Sequence, residues 1–271
     1  MASSKSVQMA DAAKITIHIA QTEAIGALAA DRLAKAVERH PAAYLGMATG
    51  STPKQTLFWQ ELRERVSRGE LDLAQATFVN PDEWIGLPGA GHAEAYRTYL
   101  EAELTEHFPT NILVPDGQAA DPRAAALEVE EAVVRGGGFE WMLMGMGING
   151  HVGFFEPAES LSSQAFLPAI AEVNRQRYAR DHFGSLEAVP THATTIGLGT
   201  VMRAKEICLC VVGGDKAALL AEALMGPVTT ALPASFVQLG AEVRVFLDAA
   251  AASKLDLPAL ASRPGWAVVQ S

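Results

Sequence analysis

The chain has 271 residues, 49% hydrophobic and 19% charged, which is the composition of a globular protein with a sizeable core. Lys plus Arg number 21 against 31 for Asp plus Glu, so the formal net charge is -10 and no nucleic-acid partner is expected. The apolar runs are too short to cross a membrane, and residues 1–13 lack the apolar core of a signal peptide. We therefore expect a flexible tail over residues 1–13 and one cytoplasmic domain over residues 14–271.

Strands and helices are predicted to alternate along the chain. Short apolar runs predict strands over residues 14–20, 43–47, 76–80, 141–146, 206–212 and 242–247. Four-residue apolar spacing, caps and glycine stops predict helices over residues 22–40, 53–66, 93–106, 122–135 and 215–224. Cys208 and Cys210 fall in one strand and face the same side, so buried reduced thiols are expected rather than a disulfide. The alternation predicts an α/β domain with a mostly parallel sheet and helices on both faces.

Three turns rich in glycine, proline and polar residues follow strands of this sheet, at residues 48–53, 81–87 and 147–157. In open α/β sheets, ligands bind beyond the carboxyl ends of the strands. The three turns can therefore converge on one site. The alternative for the third turn is an ordinary exit from a strand that carries a surface histidine.

The first turn, Thr49, Gly50, Ser51 and Thr52, is suited to a phosphate. Its small residues let the backbone wrap an anion, and its hydroxyls and free amides supply donors. Lys216, after another strand, can add a positive charge. The alternatives are a plain capped helix start and a solvated lysine, and the turn is not a Walker loop.

The other two turns carry groups that can move protons. Asp82, at a strand end beside Trp84, can act as a general base if burial raises its pKa, or it can be a capping or ion-paired acid. His151 and Glu156 can form an acid–base pair in which the carboxylate orients the imidazole, or His151 can simply hold the turn. Asn149 lies in the same turn. No histidine spacing predicts a metal site.

These turns resemble a known family. Residues 45–53 (LGMATGSTP), 78–87 (FVNPDEWIGL) and 145–157 (GMGINGHVGFFEP) are similar to the three signature stretches of the glucosamine-6-phosphate deaminases and of the related galactosamine-6-phosphate deaminase/isomerases. The likeness continues through Lys216 and weakly to Leu247. It implies a Rossmann-like single domain with a mobile lid over about residues 158–185, and no metal or organic cofactor.

The implied reaction converts an amino sugar phosphate into a ketose phosphate with release of ammonia. By the matched positions, residues 49–52 would hold the phosphate with Arg175 and Lys216 as its cations. Asp82 would move the proton between C2 and C1. His151 would open the sugar ring with support from Glu156 and orientation by Asn149, which we expect to matter less than Glu156.

Three residues depart from the usual family pattern. Asn149 stands where many members have Asp, Phe155 where Asn is usual, and Pro81 where an unbranched apolar residue is usual. Phe155 in particular would remove a polar contact to a sugar hydroxyl. The choice between glucosamine and galactosamine stays open, and homo-oligomerisation is compatible with the sequence.

Two other functions are alternatives to this one. A 6-phosphogluconolactonase has the same fold and a related Gly-rich His motif, but the family's Gly-x-Gly-x-Asp-Gly-His has Asn149 here and a different tail follows. A sugar-phosphate-sensing module would normally follow a helix-turn-helix, for which residues 1–13 are too short. It would also need neither Asp82 nor His151.

Overall fold

The structure, a computed structural model, describes residues 13–88 and 91–270, so the tail expected over residues 1–13 lies outside it except for Ala13. Within those residues the strands are β1 (Ile15–Ile19), β2 (Tyr44–Met47), β3 (Thr77–Val79), β4 (Asp82–Trp84), β5 (Asn111–Leu113), β6 (Phe139–Gly145), β7 (Ala193–Thr195), β8 (Ile207–Val211), β9 (Val243–Leu247) and β10 (Trp266–Gln270). No helix in this part of the chain combines the length and apolarity needed to cross a bilayer.

The helices are α1 (Thr22–Arg39), α2 (Thr52–Gln55), α3 (Phe58–Ser67), α4 (Tyr96–Leu100), α5 (Pro122–Arg135), α6 (Glu172–Tyr178), α7 (Leu198–Val201), α8 (Ala217–Met225), α9 (Ala249–Ala252) and α10 (Leu257–Ala261). Helices α4 and α6 each continue into a π-helical turn, over Glu101–Thr105 and Ala179–Phe183 respectively. Short 3₁₀ segments cover Gly214–Lys216 and Pro233–Leu239.

Eight strands form one parallel sheet in the order β10-β1-β9-β8-β6-β2-β3-β5. From β2 the chain first builds outward through β3 and β5, and it then returns to place β6 on the other side of β2. This reversal between β2 and β6 is the kind of switch point at which α/β sheets bind ligands. The predicted α/β fold with a mostly parallel sheet is confirmed.

Alternate residues of β6 show how the sheet is covered on both faces. Trp141 and Leu143 pack in a core with α1 and α3, while Met142 and Met144 pack in a second core with α5 and α8. Side chains of a strand alternate between faces, so a strand buried on both reads as a continuous apolar run. Because β6 also lies near the middle of the strand order, the glycine-rich turn begins near the middle of the carboxyl edge of the sheet.

Two features differ from the expected elements. Strands β4 and β7 pair antiparallel in a separate small sheet, with Asp82 opposite Thr195, so Asp82 lies in a strand and not in a turn. The helix expected over residues 53–66 is divided, because Leu57 adopts the left-handed region at φ 60° between α2 and α3. Left-handed backbone is costly for a residue with a side chain and ends regular helix.

The 158–185 segment follows the glycine-rich turn and runs irregularly to α6, after which the chain returns through β7. The beginning of this segment and the stretch that follows β7 are both held by Glu130, a buried residue of α5. The Glu130 carboxylate accepts hydrogen bonds from the Ala165 amide at 2.7 Å, the Gly197 amide at 3.3 Å and the Thr200 hydroxyl at 2.5 Å. These donors compensate for burying the carboxylate.

Candidate active site

A cavity of about 520 Å³ opens at the carboxyl ends of β2, β6 and β8, beside the switch point. All four residues of the 49–52 turn line it, together with Asp82, His151 and Lys216. The 158–185 segment contributes Asn174 and Arg177 to the opposite wall. The structure thus brings together the three turns that were expected to converge.

Besides the 49–52 turn, the cavity lining includes the cationic side chains of Lys54, Arg177 and Lys216. Lys216 follows β8 in the short 3₁₀ segment and is 6% exposed. Burial lowers the pKa of Lys216, and Arg177 lowers it further because the two positive charges face the same space. Arg177 itself pairs with Asp181 at 3.4 Å and with Asp215 at 3.7 Å. Two cations held close together beside a turn of small, hydroxyl-bearing residues favour an anionic ligand.

Asn80 connects this turn to Asp82. Its side-chain nitrogen donates a 2.6 Å hydrogen bond to the Thr49 hydroxyl, and its side-chain oxygen accepts one from the Asp82 backbone N–H at 3.1 Å. Asn80 is fully buried, at 0% exposure. Its amide therefore connects the 49–52 turn to the backbone of Asp82.

Asp82 has the environment of a general base. Its side chain is 3% exposed, and among the described residues its Oδ1 has no hydrogen-bond partner. Burial raises the pKa of Asp82 from 3.8 to about 7, although Thr195 and the backbone of Phe154 favour the charged form and offset part of this rise. A carboxylate that titrates near neutral pH can both accept and return a proton.

The neighbouring Glu83 has a structural environment instead. Its carboxylate accepts hydrogen bonds from the backbone N–H groups of Trp84 at 2.9 Å, Tyr96 at 3.0 Å and Arg97 at 3.1 Å. It thereby binds the start of α4 to β4, which is the capping role considered for this acid pair. The two adjacent carboxylates have separate roles because strand side chains alternate in direction.

Asn149 lies between His151 and Glu156. The His151 Nδ1 is 2.7 Å from the Asn149 Oδ1, and the Asn149 Nδ2 donates to the Glu156 Oε2 at 2.8 Å. The direct distance from His151 Nδ1 to Glu156 Oε2 is 3.8 Å. Glu156 therefore acts on His151 mainly through the Asn149 amide, and Asn149 makes the direct hydrogen bond that was expected of Glu156.

This arrangement determines the tautomer of His151. Because the Asn149 amide must turn its NH₂ group toward the carboxylate, its oxygen faces the imidazole and accepts a hydrogen bond from the Nδ1–H. The other ring nitrogen, Nε2, is then left with its lone pair. Burial lowers the pKa of His151 and so favours the neutral ring, with Glu156 opposing this effect and Lys216 and Arg177 reinforcing it.

Two glycines of the turn permit these close approaches. A Cβ on Gly147 would lie 2.0 Å from the His151 Cε1, so the imidazole can pack over the backbone at residue 147 because that residue is glycine. A Cβ on Gly153, whose φ is +53°, would lie 2.8 Å from the Asp82 Oδ2. The glycine-rich pattern is thus required to bring His151 and Asp82 against the same stretch of chain.

Comparison with known proteins places this geometry in a family. Residues 19–246 match the family of glucosamine-6-phosphate isomerases and 6-phosphogluconolactonases. This chain belongs to that family. A glucosamine-6-phosphate deaminase of Streptomyces coelicolor is 38% identical over 256 residues, which span 92% of this chain and 97% of the relative. One from Cutibacterium acnes is 40% identical over 238 residues, spanning 87% of this chain and 90% of the relative.

Solved structures of the family agree in fold. A monomeric glucosamine-6-phosphate deaminase superposes with a TM-score of 0.82 at 32% identity, covering 88% of this chain and 99% of that chain. The 6-phosphogluconolactonase of Trypanosoma brucei gives a TM-score of 0.67 at 20% identity, covering 90% and 99%, and shows the shared fold alone. The resemblance inferred from the three signature stretches is confirmed.

Arg175, expected beside the phosphate, is directed away from the cavity. Its guanidinium donates to the backbone carbonyls of Leu186 at 3.0 Å and Val189 at 3.2 Å and pairs with Glu172 at 3.0 Å. Arg177, two residues further along α6, lies on the cavity wall instead. Arg175 therefore holds the chain that follows the 158–185 segment, and Arg177 is the α6 arginine that lines the cavity together with the 49–52 turn.

Phe155 is also placed differently from the expectation. It is 1% exposed and packs in the core near Phe166, with ring centroids 5.7 Å apart, so the aromatic ring does not replace a polar wall of the cavity. Its neighbour Phe154 instead contacts Trp84 at 4.7 Å. Tyr178 of α6 packs on the same Trp84 at 5.1 Å, which joins the 158–185 segment to the cavity wall.

Sequence reasoning did not identify Asn80, Asn174 or Arg177 as site residues. The sequence does contain a signal for Asn80, which is a polar residue at the end of an apolar strand and two residues before Asp82. Asn174 and Arg177 lie in a weakly periodic stretch in which the sequence does not distinguish the buried helix face. Their i, i+3 spacing places both on one face once the helix is known.

Proposed function

We propose that this protein catalyses the isomerising deamination of a 2-amino-2-deoxy-hexose 6-phosphate, yielding a ketose 6-phosphate and ammonia. Glucosamine-6-phosphate is the first substrate to consider, because relatives that match most of the chain are named for it. The observation that carries the proposal is a single cavity with an anion-binding end, a carboxylate titrating near neutrality and a neutral histidine.

The phosphate would bind at the 49–52 turn, with Lys216 and Arg177 as its cations. Phosphate oxygens accept charge-assisted hydrogen bonds from both side chains, and the Thr and Ser hydroxyls supply neutral donors. Binding would also relieve the repulsion between the two cations, which contributes to the lowered pKa of Lys216. Arg175 would assist only indirectly, by holding the chain that follows α6.

His151 would open the sugar ring. The closed hexose must transfer a proton from its C1 hydroxyl to its ring oxygen before the C1 carbonyl is free. A neutral imidazole with Nδ1 donating to Asn149 presents Nε2 as the acceptor for the first proton and as the donor for its return. Glu156 would stabilise the transient imidazolium through the Asn149 amide.

Asp82 would then shift a proton from C2 to C1. Removal of the C2 proton from the open-chain aldehyde, with protonation of the carbonyl oxygen, gives an enamine that carries a hydroxyl on C1. Return of the proton to C1, with loss of one N–H proton, gives an imine at C2. Water adds to the imine carbon and ammonia leaves, so that the sugar and one water become the ketose and ammonia. The pKa of Asp82 near 7 suits both halves of this transfer.

The 158–185 segment would serve as a lid over this chemistry. It places Asn174, Arg177 and Tyr178 on the cavity wall, and Phe183 packs on Trp84 with ring centroids 5.5 Å apart. A segment that carries a phosphate cation can close when the phosphate binds and exclude water from the open-chain intermediate.

The test is ammonia release from glucosamine-6-phosphate and galactosamine-6-phosphate, side by side, with unphosphorylated glucosamine and 6-phosphogluconolactone as comparison substrates. We expect ammonia and ketose phosphate in equal amounts from at least one amino sugar phosphate, and the Asp82→Asn protein excludes a contaminating enzyme. Rapid lactone hydrolysis without ammonia from either amino sugar would contradict the proposal and favour the lactonase reaction.

A further inference from the structure

We propose that Asn174 is a positioning residue that connects helix α6 of the 158–185 segment to the Glu156–Asn149–His151 hydrogen-bond chain. In this role it keeps Glu156 directed at Asn149 and away from the imidazole. The inference rests on the proposed function only for its kinetic consequence, because the hydrogen-bond chain itself can be measured without any substrate.

Asn174 is unusual among the polar residues of α6 because it is 2% exposed. Its Nδ2 donates to the Glu156 Oε1 at 2.8 Å and to the Oε2 at 2.9 Å, and it lies 3.0 Å from the His151 Nδ1. The backbone N–H of Ala171, which precedes α6, adds a 3.3 Å hydrogen bond to the Glu156 Oε1. The carboxylate is thus held by the helix on one side and by Asn149 on the other.

The 3.0 Å contact between Asn174 and His151 does not alter the assignment of the ring. Asn174 must present its NH₂ group to Glu156, since its oxygen would meet a carboxylate in the flipped orientation. Asn149 likewise presents oxygen to Nδ1 at the shorter distance of 2.7 Å. Both amides therefore direct their NH₂ groups at Glu156, and the Nδ1 proton of His151 is shared with Asn149 alone.

The consequence concerns the distance between the carboxylate and the imidazole. Glu156 Oε2 is 3.8 Å from Nδ1, close enough that a small movement would produce a direct ion pair. Such a pair would hold His151 as the imidazolium and deprive Nε2 of the lone pair needed for ring opening. Asn174 prevents that movement by occupying both carboxylate oxygens. The other charged groups acting on the ring are Lys216 and Arg177, both of which oppose its protonation, and Asp82 lines the same cavity.

The geometry also makes the hydrogen-bond chain depend on the position of the helix. When α6 is seated, both Asn174 and the Ala171 amide reach Glu156. A displaced helix would remove these donors together, and Glu156 would then be free to approach His151. Closure of the segment over a ligand would therefore coincide with the protonation state that ring opening requires.

The experiment is an NMR titration of the His151 imidazole in the ligand-free protein, assigned with a His151→Gln variant. Asn174→Ala removes the donor, and Asn174→Asp keeps the shape while replacing the donor by an acceptor. Gln176→Ala, on an exposed residue of the same helix, is the matched control. Melting temperatures are measured for all three variants to confirm that they fold.

We expect the apparent pKa of His151 to rise by about one unit in both Asn174 variants, because Glu156 or the new carboxylate then faces Nδ1. It should stay at the wild-type value in the Gln176→Ala protein. A His151 titration unchanged in either folded Asn174 variant would overturn the proposal, as would an equal rise in the control.

A kinetic readout separates this inference from the proposed function. If ammonia release is confirmed, Asn174→Ala should move the acidic limb of the kcat/KM profile to higher pH and lower kcat at neutral pH. If the wild-type protein releases no ammonia, the proposed function fails, while the titration still decides the role of Asn174. If the pKa of His151 rises in the Asn174→Ala protein but the acidic limb of its kcat/KM profile does not move, Asn174 has no effect on the reaction through His151.

Discussion

Replacing Asp82 by asparagine should greatly slow turnover and at the same time stabilise the protein. The substitution keeps the shape of the side chain but removes the charge and the ability to accept a proton from C2. General-base catalysis contributes roughly 10²–10⁴ in rate, so turnover should fall by that factor. Exchange of the C2 hydrogen with D₂O should fall in parallel if Asp82 is the base.

The stability change follows from the buried environment of Asp82. Folding raises the pKa of Asp82 from 3.8 to about 7, mainly through burial. At 1.36 kcal/mol per pH unit, a rise of about three units corresponds to about 4 kcal/mol of destabilisation once the carboxylate is ionised. The folded-state pKa is the higher one, so the folded protein binds more protons between pH 3.8 and about 7. Wild-type stability is therefore lost as pH rises through this window and stays at the lower level above it.

Thermal unfolding of wild-type and Asp82→Asn protein at pH 5 and pH 8 measures this effect. The variant should melt at a higher temperature than the wild-type protein, and this difference should be larger at pH 8, where it should be on the order of 10 °C. Glu83→Gln is the control, since its carboxylate accepts three backbone N–H groups and the change should cost about 1–3 kcal/mol. A melting-temperature difference between wild type and Asp82→Asn that is the same at both pH values would refute the reasoning.

The other site residues give three further predictions. Lys216→Ala and Arg177→Ala should each raise KM for the amino sugar phosphate about tenfold or more, while Arg175→Ala should leave the preference for the phosphorylated sugar unchanged. Steady-state kinetics with the phosphorylated and unphosphorylated sugars measure this preference, and its loss in Arg175→Ala alone would contradict the assignment. His151→Gln should lose most turnover on the cyclic substrate but much less C2 exchange on an acyclic analogue, and an equal loss on both would end the ring-opening assignment. Asn149→Asp should remain active with the acidic limb of its pH–rate profile at higher pH, since an added anion favours the imidazolium; a limb that did not move would argue against the Asn149–His151 hydrogen bond.

Most of the sheet was predictable because its central strands are buried on both faces. Such strands appear in the sequence as continuous apolar runs, as β6 and β8 do. The sequence prediction lacked β4, β5, β7 and β10. Strands β4, β5 and β7 have three residues each, and β10 is at most partly buried at the edge of the sheet. Short or edge strands carry too few alternating residues for a period to be recognised.

The central part of the site was predictable for a topological reason. Turns that follow parallel strands meet at one edge, so the 49–52 turn and His151 come together from distant parts of the sequence. The contribution of α6 could not be predicted in the same way. Arg175 and Arg177 are two positions apart and point to opposite sides of a helix, and only tertiary packing selects the buried side. Phe154 and Phe155 posed the same problem, because neighbouring side chains in extended backbone face opposite ways.

The Glu130 carboxylate has a consequence for exchanging parts between members of the family. It fixes residue 165 near the start of the 158–185 segment and residue 197 just beyond β7, and backbone pairing of Phe166 with Thr195 and of Ala169 with His192 closes the same loop. A donor sequence spliced in beyond this pairing would inherit ready-made anchoring from the host, whatever its length in the middle. Such a graft must also keep the register of the β4–β7 pairing. A shift of Thr195 by one residue against Asp82 would turn the opposing side chains to the other face of that two-stranded sheet. The natural crossover points for chimeric proteins therefore lie after Ile170 and before Thr191, where the Glu130 anchor, the backbone pairing at the base of the loop and strand β7 would all be kept.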